Sequence, residues 1–410
     1  MITSQNNIPK LRFPEFGDVW EVKKVGELCD SIVPGRNKPT EFNGEIPWIT
    51  TPDIEHNGVI TFSKKGLNIS RDEAKKVGSK IVPINSIIIS CVGDLGLSAI
   101  AGKEIVINQQ LHAFLPKEKI QNRFLLYQLN LQKKYMDKVA TKTAVPYMNK
   151  DNCNSIPISF PTLPEQQKIA TFLSTVDEKL QAVKKKKSLL ETYKKGVMQK
   201  LFSQEIRFKN DEGDDFKDWE VKRLEEIGEF KNGINKGKED FGFGFPFINL
   251  MDVFGKPTIS DLKLGLVNAN EKELKLYELK KGDVLFIRSS VKKSGVGETA
   301  LVLNDLKNTV FSGFLIRFRD EKIKLDLSFK KYCFANKQFR ENLISLSTTS
   351  ANTNINQESL NDLEVPIPPI PEQTKIGNFL SAIDEKINKV DAQIKQTEFW
   401  KKGLLQQMFV

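Results

Sequence analysis

The end of the chain repeats its middle. The segment that begins Pro164-Glu165-Gln166 returns 207 residues later as Pro371-Glu372-Gln373, and the match then runs without a gap to the C-terminus. Of the 39 positions from 164 to 202, 18 are identical to their counterparts at 371 to 409. Each copy follows a stretch of similar length, and these two stretches differ from one another. We therefore expect two different heads on two similar arms.

The repeated arms have the periodicity of long helices. Their apolar residues recur at alternating steps of four and three, which is the period of a coiled-coil seam. The seam positions are Ile169, Leu173, Val176, Leu180, Val183, Leu190, Val197 and Leu201, then Ile376, Leu380, Ile383, Ile387, Val390, Ile394, Leu404 and Met408. Pro164 and Pro371 suit a first helical turn, where proline has no hydrogen bond to lose. Because such a helix is unstable alone, we expect the arms to pack on each other; the alternative is that each packs only on its own head.

Polar residues interrupt both seams. Lys187 and Lys194 do so in the first arm, and Thr397 and Lys401 in the second. The first arm also carries the run Lys184–Lys187. Such a run is usually a solvated face, and the other interpretation is contact with DNA phosphates or an acidic partner.

Composition limits the classes of function. The 410 residues carry a net charge of +10, which suits a polyanion such as nucleic acid, although a lysine-rich proteome would give the same balance. The four cysteines are far apart and the two histidines are few for acid–base or metal chemistry. We expect no metal site, no membrane span and a cytoplasmic location.

The sequences of the two heads match at their starts and ends but not between them. Arg12-Phe13 matches Arg207-Phe208 near their starts, and the segment from Trp20 matches that from Trp219. Near their ends, Asn149 and Asn154 recur as Asn356 and Asn361 at the same offset of 207. Between these positions the heads scarcely match, although both contain short β-like runs separated by glycine turns.

This arrangement resembles the specificity subunit of a Type I restriction–modification enzyme. The resemblance rests on the two Pro-Glu-Gln segments, on the Lys-Ile and Phe-Leu pairs that follow them, and on the Trp-Glu starts of the heads. It covers essentially the whole chain. It implies an α+β fold with two mixed, β-rich target-recognition domains, separated by two long helices that pack as an antiparallel coiled coil with pseudo-twofold symmetry. The predicted domains are 1–160 and 207–365, hereafter the first and second head, with spacer helices in 161–206 and 366–410.

The resemblance also implies a function and partners. Each head reads one half of a split, asymmetric sequence in double-stranded DNA, while the helices set the gap. The chain itself is not a catalyst and holds no cofactor. Two modification subunits use S-adenosylmethionine to methylate adenine, and restriction subunits use ATP and Mg²⁺. The residues expected in the spacer and at subunit contacts are Glu165, Gln166, Phe172, Leu173, Glu372, Gln373, Phe379 and Leu380.

Candidate DNA contacts come from polar loops that contain amide, hydroxyl and cationic side chains, which read base edges and hold phosphates. In the first head these are Arg36, Asn37, Lys38, Thr50, Thr51, Gln109, Gln110, Lys142 and Thr143. In the second head they are Arg288, Ser289, Ser290, Lys292, Lys293, Asn352 and Asn354. The asparagine-rich loop could equally be a structural turn.

Signals for catalysis are weak. The segment Phe241–Phe245 has glycines but not the spacing of a nucleotide-binding loop. Asp53 followed by Glu73 and Lys75 fits a loose nuclease pattern, but Ser70–Lys76 has the features of a capped helix start rather than a strand. The alternatives to a recognition subunit are a single-chain nuclease with similar heads and a coiled-coil adaptor that binds no DNA.

Overall fold

The computed structural model describes residues 7–35, 37–260, 263–349 and 352–410, and it divides into two compact units. Unit 1 comprises residues 1–184 and 392–410, and unit 2 comprises residues 185–391. Each unit therefore contains one head together with part of both long helices. The unit boundary cuts through the helices, whereas the sequence division assigned each helix to a segment of its own.

The first head, in unit 1, is a mixed α/β domain. Its strands are Glu21–Lys24, Cys29–Ile32, Ile46–Ile49, Val59–Ile60, Asn68–Ile69, Ile87–Ser90, Ser98–Ala101, Val106–Ile107, Leu111–Pro116 and Pro157–Phe160. Its helices are Val25–Leu28, Arg71–Lys76, Asn122–Leu131, Lys133–Val139 and Lys150–Asn154, with a 3-10 turn at Thr51–Asp53. Helix Arg71–Lys76 begins where it was predicted, because the Ser70 side chain accepts a hydrogen bond from the Glu73 N–H.

The strands of the first head form three sheets. In order, the largest contains strands 29–32, 111–116, 87–90, 98–101 and 59–60. A smaller sheet has 46–49 between 68–69 and 106–107, and strand 21–24 pairs with 157–160. The central strand Ile87–Ser90 is fully buried, as its run of isoleucines indicates.

The second head, in unit 2, is also a mixed α/β domain. Its strands are Glu220–Arg223, Glu229–Asn232, Phe241–Ile248, Thr258–Ile259, Gly265–Val267, Val284–Ile287, Ser289–Ser290, Thr299–Val302, Val310–Phe311, Leu315–Arg319, Thr348–Thr349, Thr353–Asn354 and Glu364–Ile367. Its helices are Leu224–Ile227, Leu250–Val253, Glu271–Tyr277, Leu327–Cys333, Lys337–Leu346 and Gln357–Asn361, with 3-10 turns at Lys238–Asp240 and Lys293–Gly295. The glycine-rich segment at 241–245 is part of a bulged strand, where Gly242 and Gly244 have φ of 99° and 92°.

The second head repeats the sheet order of the first although their interior sequences scarcely match. Its five-stranded sheet has the order 229–232, 315–319, 284–287, 299–302 and 258–259. Strand 241–248 lies between 265–267 and 310–311, and strand 220–223 pairs with 364–367. A further ribbon of strands 289–290, 353–354 and 348–349 extends the second head.

Two long helices carry the repeated sequence, as the periodicity predicted. The first spacer helix is Leu163–Phe202 and the second is Ile370–Met408. Within unit 1, Asp177 forms an ion pair with Lys401, and Lys184 with Glu398 at 2.6 Å. Within unit 2, the equivalent pairing joins Lys194 to Asp384. The helix segments in each unit are therefore antiparallel.

The lysines that interrupt the seam are part of this pairing. Lys187 pairs with Asp391 in unit 2, and Lys194 and Lys401 have the carboxylate partners given above. The apolar seam positions on either side are largely buried against a head and against the other helix. Charge pairs thus replace apolar contacts at intervals along the seam, and the run at 184–187 contributes two of its four lysines to them.

Candidate nucleic-acid interface

One edge of the first head gathers the polar loops that the sequence singled out. Strands 46–49 and 106–107 are parallel, with Ile49 opposite Ile107, so the loops that leave them start side by side. The Ser90 end of its strand lies opposite Leu111, which brings the loop after residue 90 to the same edge. We call this the first loop edge: residues 35 and 37–38, 50–51, 91–94, 108–110 and 141–147.

Hydrogen bonds connect the predicted residues at this edge. Thr51 Oγ1 donates to Gln110 Oε1 at 3.1 Å, and Asn108 Nδ2 donates to the same oxygen at 3.3 Å. Gln109 Nε2 donates to the Gly35 carbonyl at 3.0 Å. The amides of Gln109 and Gln110, both exposed, are therefore held in place on loops that a rigid sheet supports.

Other candidates at this edge have mixed roles. Asn37 is exposed, and Lys38 Nζ lies 5.9 Å from the centre of the Trp48 ring. Thr50 precedes the 3-10 turn, and its N–H and hydroxyl both donate to Asp53 Oδ2 within that turn at 2.7 Å. Arg36 lies outside the described residues.

The loop with Lys142 and Thr143 reaches the same edge through the main chain. The Gly93 N–H donates to the Pro146 carbonyl at 2.9 Å, and the Met148 N–H donates to the Cys91 carbonyl at 2.9 Å. Lys142 and Thr143 are exposed, and the Thr143 hydroxyl donates to the Val145 carbonyl at 2.7 Å. An exposed cation is thus present on a loop of the same edge.

The second head brings its two predicted loops together at the corresponding edge. Ser289 lies opposite Asn354 and Ser290 opposite Thr353 in the antiparallel ribbon. The Asn354 side chain donates to the Asn352 carbonyl at 3.0 Å. We call residues 233–236, 288–294, 312–314 and 352–355 the second loop edge.

The cations of the second loop edge differ in exposure. Arg288 is half-buried, and its guanidinium donates to the Gly313 carbonyl at 3.4 Å. Lys292 and Lys293 are exposed. Arg340 holds the main chain of their loop, because its guanidinium donates to the carbonyls of Ser294 at 2.8 Å and Val296 at 2.7 Å. The structure therefore presents two lysines on an anchored loop.

Asparagines at equivalent positions have a structural role next to these loops. The Asn149 side chain accepts a hydrogen bond from the Asn152 N–H at 2.8 Å, and Asn356 accepts one from the Ser359 N–H at 2.8 Å. Each caps a short helix that follows the loop. The asparagines that the two heads share thus cap helices, whereas Asn352 and Asn354 are part of the second loop edge itself.

Sequence reasoning missed an exposed aromatic residue of the second loop edge. Phe314 immediately precedes strand Leu315–Arg319, and 57% of its surface is exposed. The candidate contacts were drawn from polar loops, and this apolar residue was therefore not among them. The signal that could have found it is its alignment with Gln110, which precedes strand Leu111–Pro116 in the same way.

The Glu-Gln pair that starts each spacer helix ties the helix to its own head. Glu165 accepts hydrogen bonds from Arg12 Nε and Nη2, both at 2.7 Å. Gln166 is fully buried, and its side chain donates to the Pro161 carbonyl at 2.8 Å. The Gln121 N–H donates to Gln166 Oε1 at 2.9 Å.

The same connection recurs in unit 2. Glu372 accepts from Arg207 Nε at 3.2 Å and Nη2 at 2.8 Å, and from Trp219 Nε1 at 2.9 Å. Gln373 donates to the Pro368 carbonyl at 2.8 Å and accepts from the Asp326 N–H at 2.9 Å. The Glu372 carboxylate is the first cause of the raised pKa of Arg207, ahead of the opposing effect of burial.

The remaining residues that were predicted in the spacer and at subunit contacts also pack against other residues of this chain. Leu173 and Leu380 are fully buried. Phe172 packs edge-on against Phe13, with ring centres 6.0 Å apart, and Phe379 likewise against Phe208 at 5.6 Å. Their internal contacts, like those of the two Glu-Gln pairs, explain why Arg-Phe and Pro-Glu-Gln occur together in both halves of the sequence.

Each head is also joined to the spacer by an aspartate and a tyrosine, which sequence reasoning did not identify. Tyr127 donates to Asp177 Oδ2 at 2.7 Å in unit 1, and Tyr332 donates to Asp384 Oδ2 at 2.7 Å in unit 2. Burial, followed by the hydrogen bond to Asp177, raises the pKa of Tyr127. We call Asp177 and Asp384, each with its tyrosine and lysine partners, the aspartate clamps.

The described residues offer no sign of a metal centre. Nowhere among them do three or more His, Cys, Asp or Glu side chains stand close enough to hold an ion. Over the same residues, no helix has the length and apolar character to cross a membrane. The four cysteines are buried and free of disulfide bonds.

The fold and the loop edges define a two-headed, basic recognition protein, and comparison with known proteins identifies its family. The family described as Type I restriction modification DNA specificity domain matches residues 18–192 and again 216–397. The chain belongs to this family.

Relatives match over nearly the whole length. The chain is 25% identical to the Type I restriction enzyme MjaIX specificity subunit of Methanocaldococcus jannaschii, over 93% of this chain and 90% of that one. It is 26% identical to the MjaVIII specificity subunit of the same organism, over 96% and 92%. The S subunit of the Type I restriction–modification system of M. genitalium has the same fold, with a TM-score of 0.58, 16% identity and coverage of 98% and 99%.

Proposed function

We propose that this chain is the DNA-recognition subunit of a Type I restriction–modification system, in which each head reads one half of a split, asymmetric target. The observation that carries this proposal is that two heads of one topology present different side chains at equivalent loop edges. Gln110 lies on the first edge where Phe314 lies on the second, and Cys91 lies where Arg288 does. Heads that differ in this way bind different half-sites, so the target is not a palindrome.

The spacer helices fix the gap between half-sites and dock the partner subunits. A helix of 40 residues is about 60 Å long at 1.5 Å per residue, enough to span half-sites about one DNA turn apart. Tyr193 and Trp400 occupy equivalent positions on the two helices, and each is about half exposed, at 53% and 50%. Aromatic side chains exposed in this way favour a protein interface, and two equivalent ones fit two copies of a modification subunit.

The chain acts through its partners and is not itself a catalyst. The modification subunits supply adenine methylation with S-adenosylmethionine, and the restriction subunits supply ATP- and Mg²⁺-dependent cleavage. The complex acts on double-stranded DNA in the cytoplasm. These assignments rest on the family and on the absence of methyltransferase and P-loop motifs from the sequence.

A single-chain nuclease is the weaker candidate. Asp53 accepts hydrogen bonds from Thr50 and from the Lys64 N–H at 2.7 Å, and Glu73 accepts from the Thr40 N–H at 2.7 Å. Both carboxylates therefore hold the main chain of neighbouring loops in place. Glu73 lies on the short helix 71–76, whereas the nuclease pattern requires a strand beside the aspartate.

Methylation sequencing of the host genome tests the proposed function. We expect one split, asymmetric methyladenine motif to disappear when the gene is deleted and to return when it is restored. A variant chain with the second head replaced by that of a relative should change only one half of the motif. If the methylation pattern is the same with and without the gene in a strain that expresses it with its partners, the proposal is wrong.

The two exposed lysines of the second loop edge give a second prediction. In the double variant Lys292→Ala/Lys293→Ala, we expect weaker DNA binding at low salt and a smaller salt dependence. If each lysine neutralises one phosphate, the slope of log K against log salt concentration falls by about 1.8, from about 0.9 for each. Binding is measured on the complex by fluorescence anisotropy across a salt series.

The matched control removes two lysines from the other end of the same sheet. Lys322 and Lys324 are exposed and follow the end of strand Leu315–Arg319 that is opposite to Phe314. The variant Lys322→Ala/Lys324→Ala has the same change in net charge but should keep the wild-type slope. Equal slopes for the two double variants would refute a direct phosphate contact by Lys292 and Lys293.

A further inference from the structure

One short turn occurs in both heads with the same main-chain hydrogen bonds. In the first head it is Asn108-Gln109-Gln110, and in the second it is Ser312-Gly313-Phe314. Each turn connects a two-residue strand, 106–107 or 310–311, to the long strand 111–116 or 315–319. The two turns can therefore be compared residue by residue.

The hydrogen bonds establish the correspondence. The Asn108 N–H donates to the Ile49 carbonyl at 3.0 Å, as the Ser312 N–H does to Ile248 at 2.9 Å. At the other end of the turn, the Cys91 N–H donates to the Gln110 carbonyl at 2.8 Å. The Arg288 N–H donates to the Phe314 carbonyl at the same distance, 2.8 Å. Gln110 and Phe314 thus occupy equivalent positions in two turns that have the same main-chain hydrogen bonds.

The side chains at this shared position have opposite chemistry. Gln110 is a polar amide that Thr51 and Asn108 hold through its oxygen, at 3.1 and 3.3 Å. Phe314 has only hydrocarbon beyond its backbone and exposes 57% of its surface. An exposed ring of this kind suits a ligand that offers an apolar surface, and Val291 of the same edge, 85% exposed, is a second apolar group there.

The backbone around Phe314 is fixed. The Gly313 N–H donates to the Ile234 carbonyl at 2.8 Å, and a Cβ at residue 313 would collide with the side-chain oxygen of Asn235. The Arg288 guanidinium holds the Gly313 carbonyl from the other side. The ring is therefore presented from a rigid support, as a residue that discriminates between bases must be.

We propose that Phe314 recognises a thymine in the half-site of the second head through the 5-methyl group of that base. The inference rests on the proposed function and adds part of the target. Among the base edges in the major groove, the thymine methyl is the apolar group, and phenylalanine is one of the side chains that contact it. In the first head, the amide of Gln110 at the equivalent position cannot make such a contact and forms hydrogen bonds instead.

Deoxyuridine tests this directly, because it lacks only the methyl group of thymidine. Once the motif is known from methylation sequencing, each thymine of both half-sites is replaced in turn in a synthetic duplex. Binding is measured on the full chain in complex with its modification subunits. We expect one substitution, in one half-site, to weaken binding to the wild type about fourfold, the value for one buried methyl-sized group.

Two variants test whether Phe314 is the residue that senses the thymine methyl group. For the variant Phe314→Ala, that same deoxyuridine substitution should cause no further loss of DNA-binding affinity. For Gln110→Ala, the substitution should still weaken binding about fourfold, because this variant changes the other head. Since Phe314 is exposed, Phe314→Ala should melt at the wild-type temperature, and a melting curve checks this.

The outcomes separate the inference from the proposed function. The inference is overturned if no half-site contains a thymine whose methyl matters, or if Phe314→Ala still discriminates against deoxyuridine. It is also overturned if Phe314→Ala loses binding of a modification subunit instead, because the ring then contacts protein. The proposed function fails separately, if the complex binds no split motif at all.

Discussion

Replacing Glu372 by alanine should destabilise unit 2 by about 3 kcal/mol, the low end of the range for breaking a buried ion pair. Glu372 is fully buried and accepts three hydrogen bonds, two from Arg207 and one from Trp219. Its removal leaves the indole N–H without this acceptor, and the guanidinium keeps the Phe216 and Lys217 carbonyls and the exposed Asp218 but no buried counter-charge. We use the low end because the Arg207 side chain is 20% exposed, so that water can partly solvate it.

Thermal unfolding followed by circular dichroism measures this effect. For a unit of about 200 residues, 3 kcal/mol corresponds to a Tm lower by about 6–12 °C. Glu372→Gln should recover part of the loss, since its carbonyl oxygen still accepts a hydrogen bond. Glu385→Ala, at an exposed position of the same helix, should change stability by no more than about 0.5 kcal/mol. A Tm for Glu372→Ala within a degree of the wild type would contradict the assigned role.

Replacing Asp384 by asparagine should destabilise unit 2 by about 2 kcal/mol at neutral pH. Asp384 accepts from Lys331 at 2.6 Å and from Tyr332 at 2.7 Å, and it pairs with Lys194 on the first spacer helix. Burial alone would raise its pKa, but the hydrogen bonds from Lys194, Lys331 and Tyr332 outweigh burial and lower it. The neutral amide loses the charge-assisted part of these contacts.

The lowered pKa gives this prediction a definite pH dependence. A carboxylate whose pKa is lower in the folded state contributes stability that is fully present above its unfolded pKa, near 4. That contribution is lost as the pH falls through the folded pKa. The stability difference between wild type and Asp384→Asn should therefore be largest above about pH 5 and should shrink below about pH 4.

Urea denaturation at a series of pH values tests this difference. Asp362→Asn is the matched control, because Asp362 is 64% exposed and lies 3.9 Å from Arg223 in a surface ion pair. It should cost less than about 1 kcal/mol at every pH. A difference for Asp384→Asn that stays constant from pH 7 to pH 3.5 would show that the charge of Asp384 does not stabilise unit 2.

Local features of the fold could be predicted because their causes lie close together in sequence. The spacer helices have the expected prolines in their first turn and carry the expected seam, since helical periodicity and caps act within a few residues. The Ser70 cap follows from the same local rules. That the arms pack on each other followed from their length and one-sided apolar face, and their antiparallel direction followed from the resemblance alone.

The candidate site was predictable in part. The loops with Gln109, Gln110, Ser289 and Ser290 were found because polar clusters between strands are visible in sequence. Their assembly was not visible, because the contact of Thr51 with Gln110 and the pairing of Ser289 with Asn354 join residues 59 and 65 positions apart. Phe314 was missed because an apolar residue at a strand end has the same sequence pattern whether it faces the core or the solvent.

The sequence by itself determined the duplicated plan of this protein: two helices with a common seam, and two heads with matching starts and ends. Only the tertiary structure decided that the dissimilar interiors have one sheet order, because many different apolar sequences fill the same buried strands. It also decided that Glu165 and Glu372 are buried partners of Arg12 and Arg207, and that lysines in the seam pair with aspartates. Such pairs depend on which distant residues folding brings together, and no local pattern encodes them.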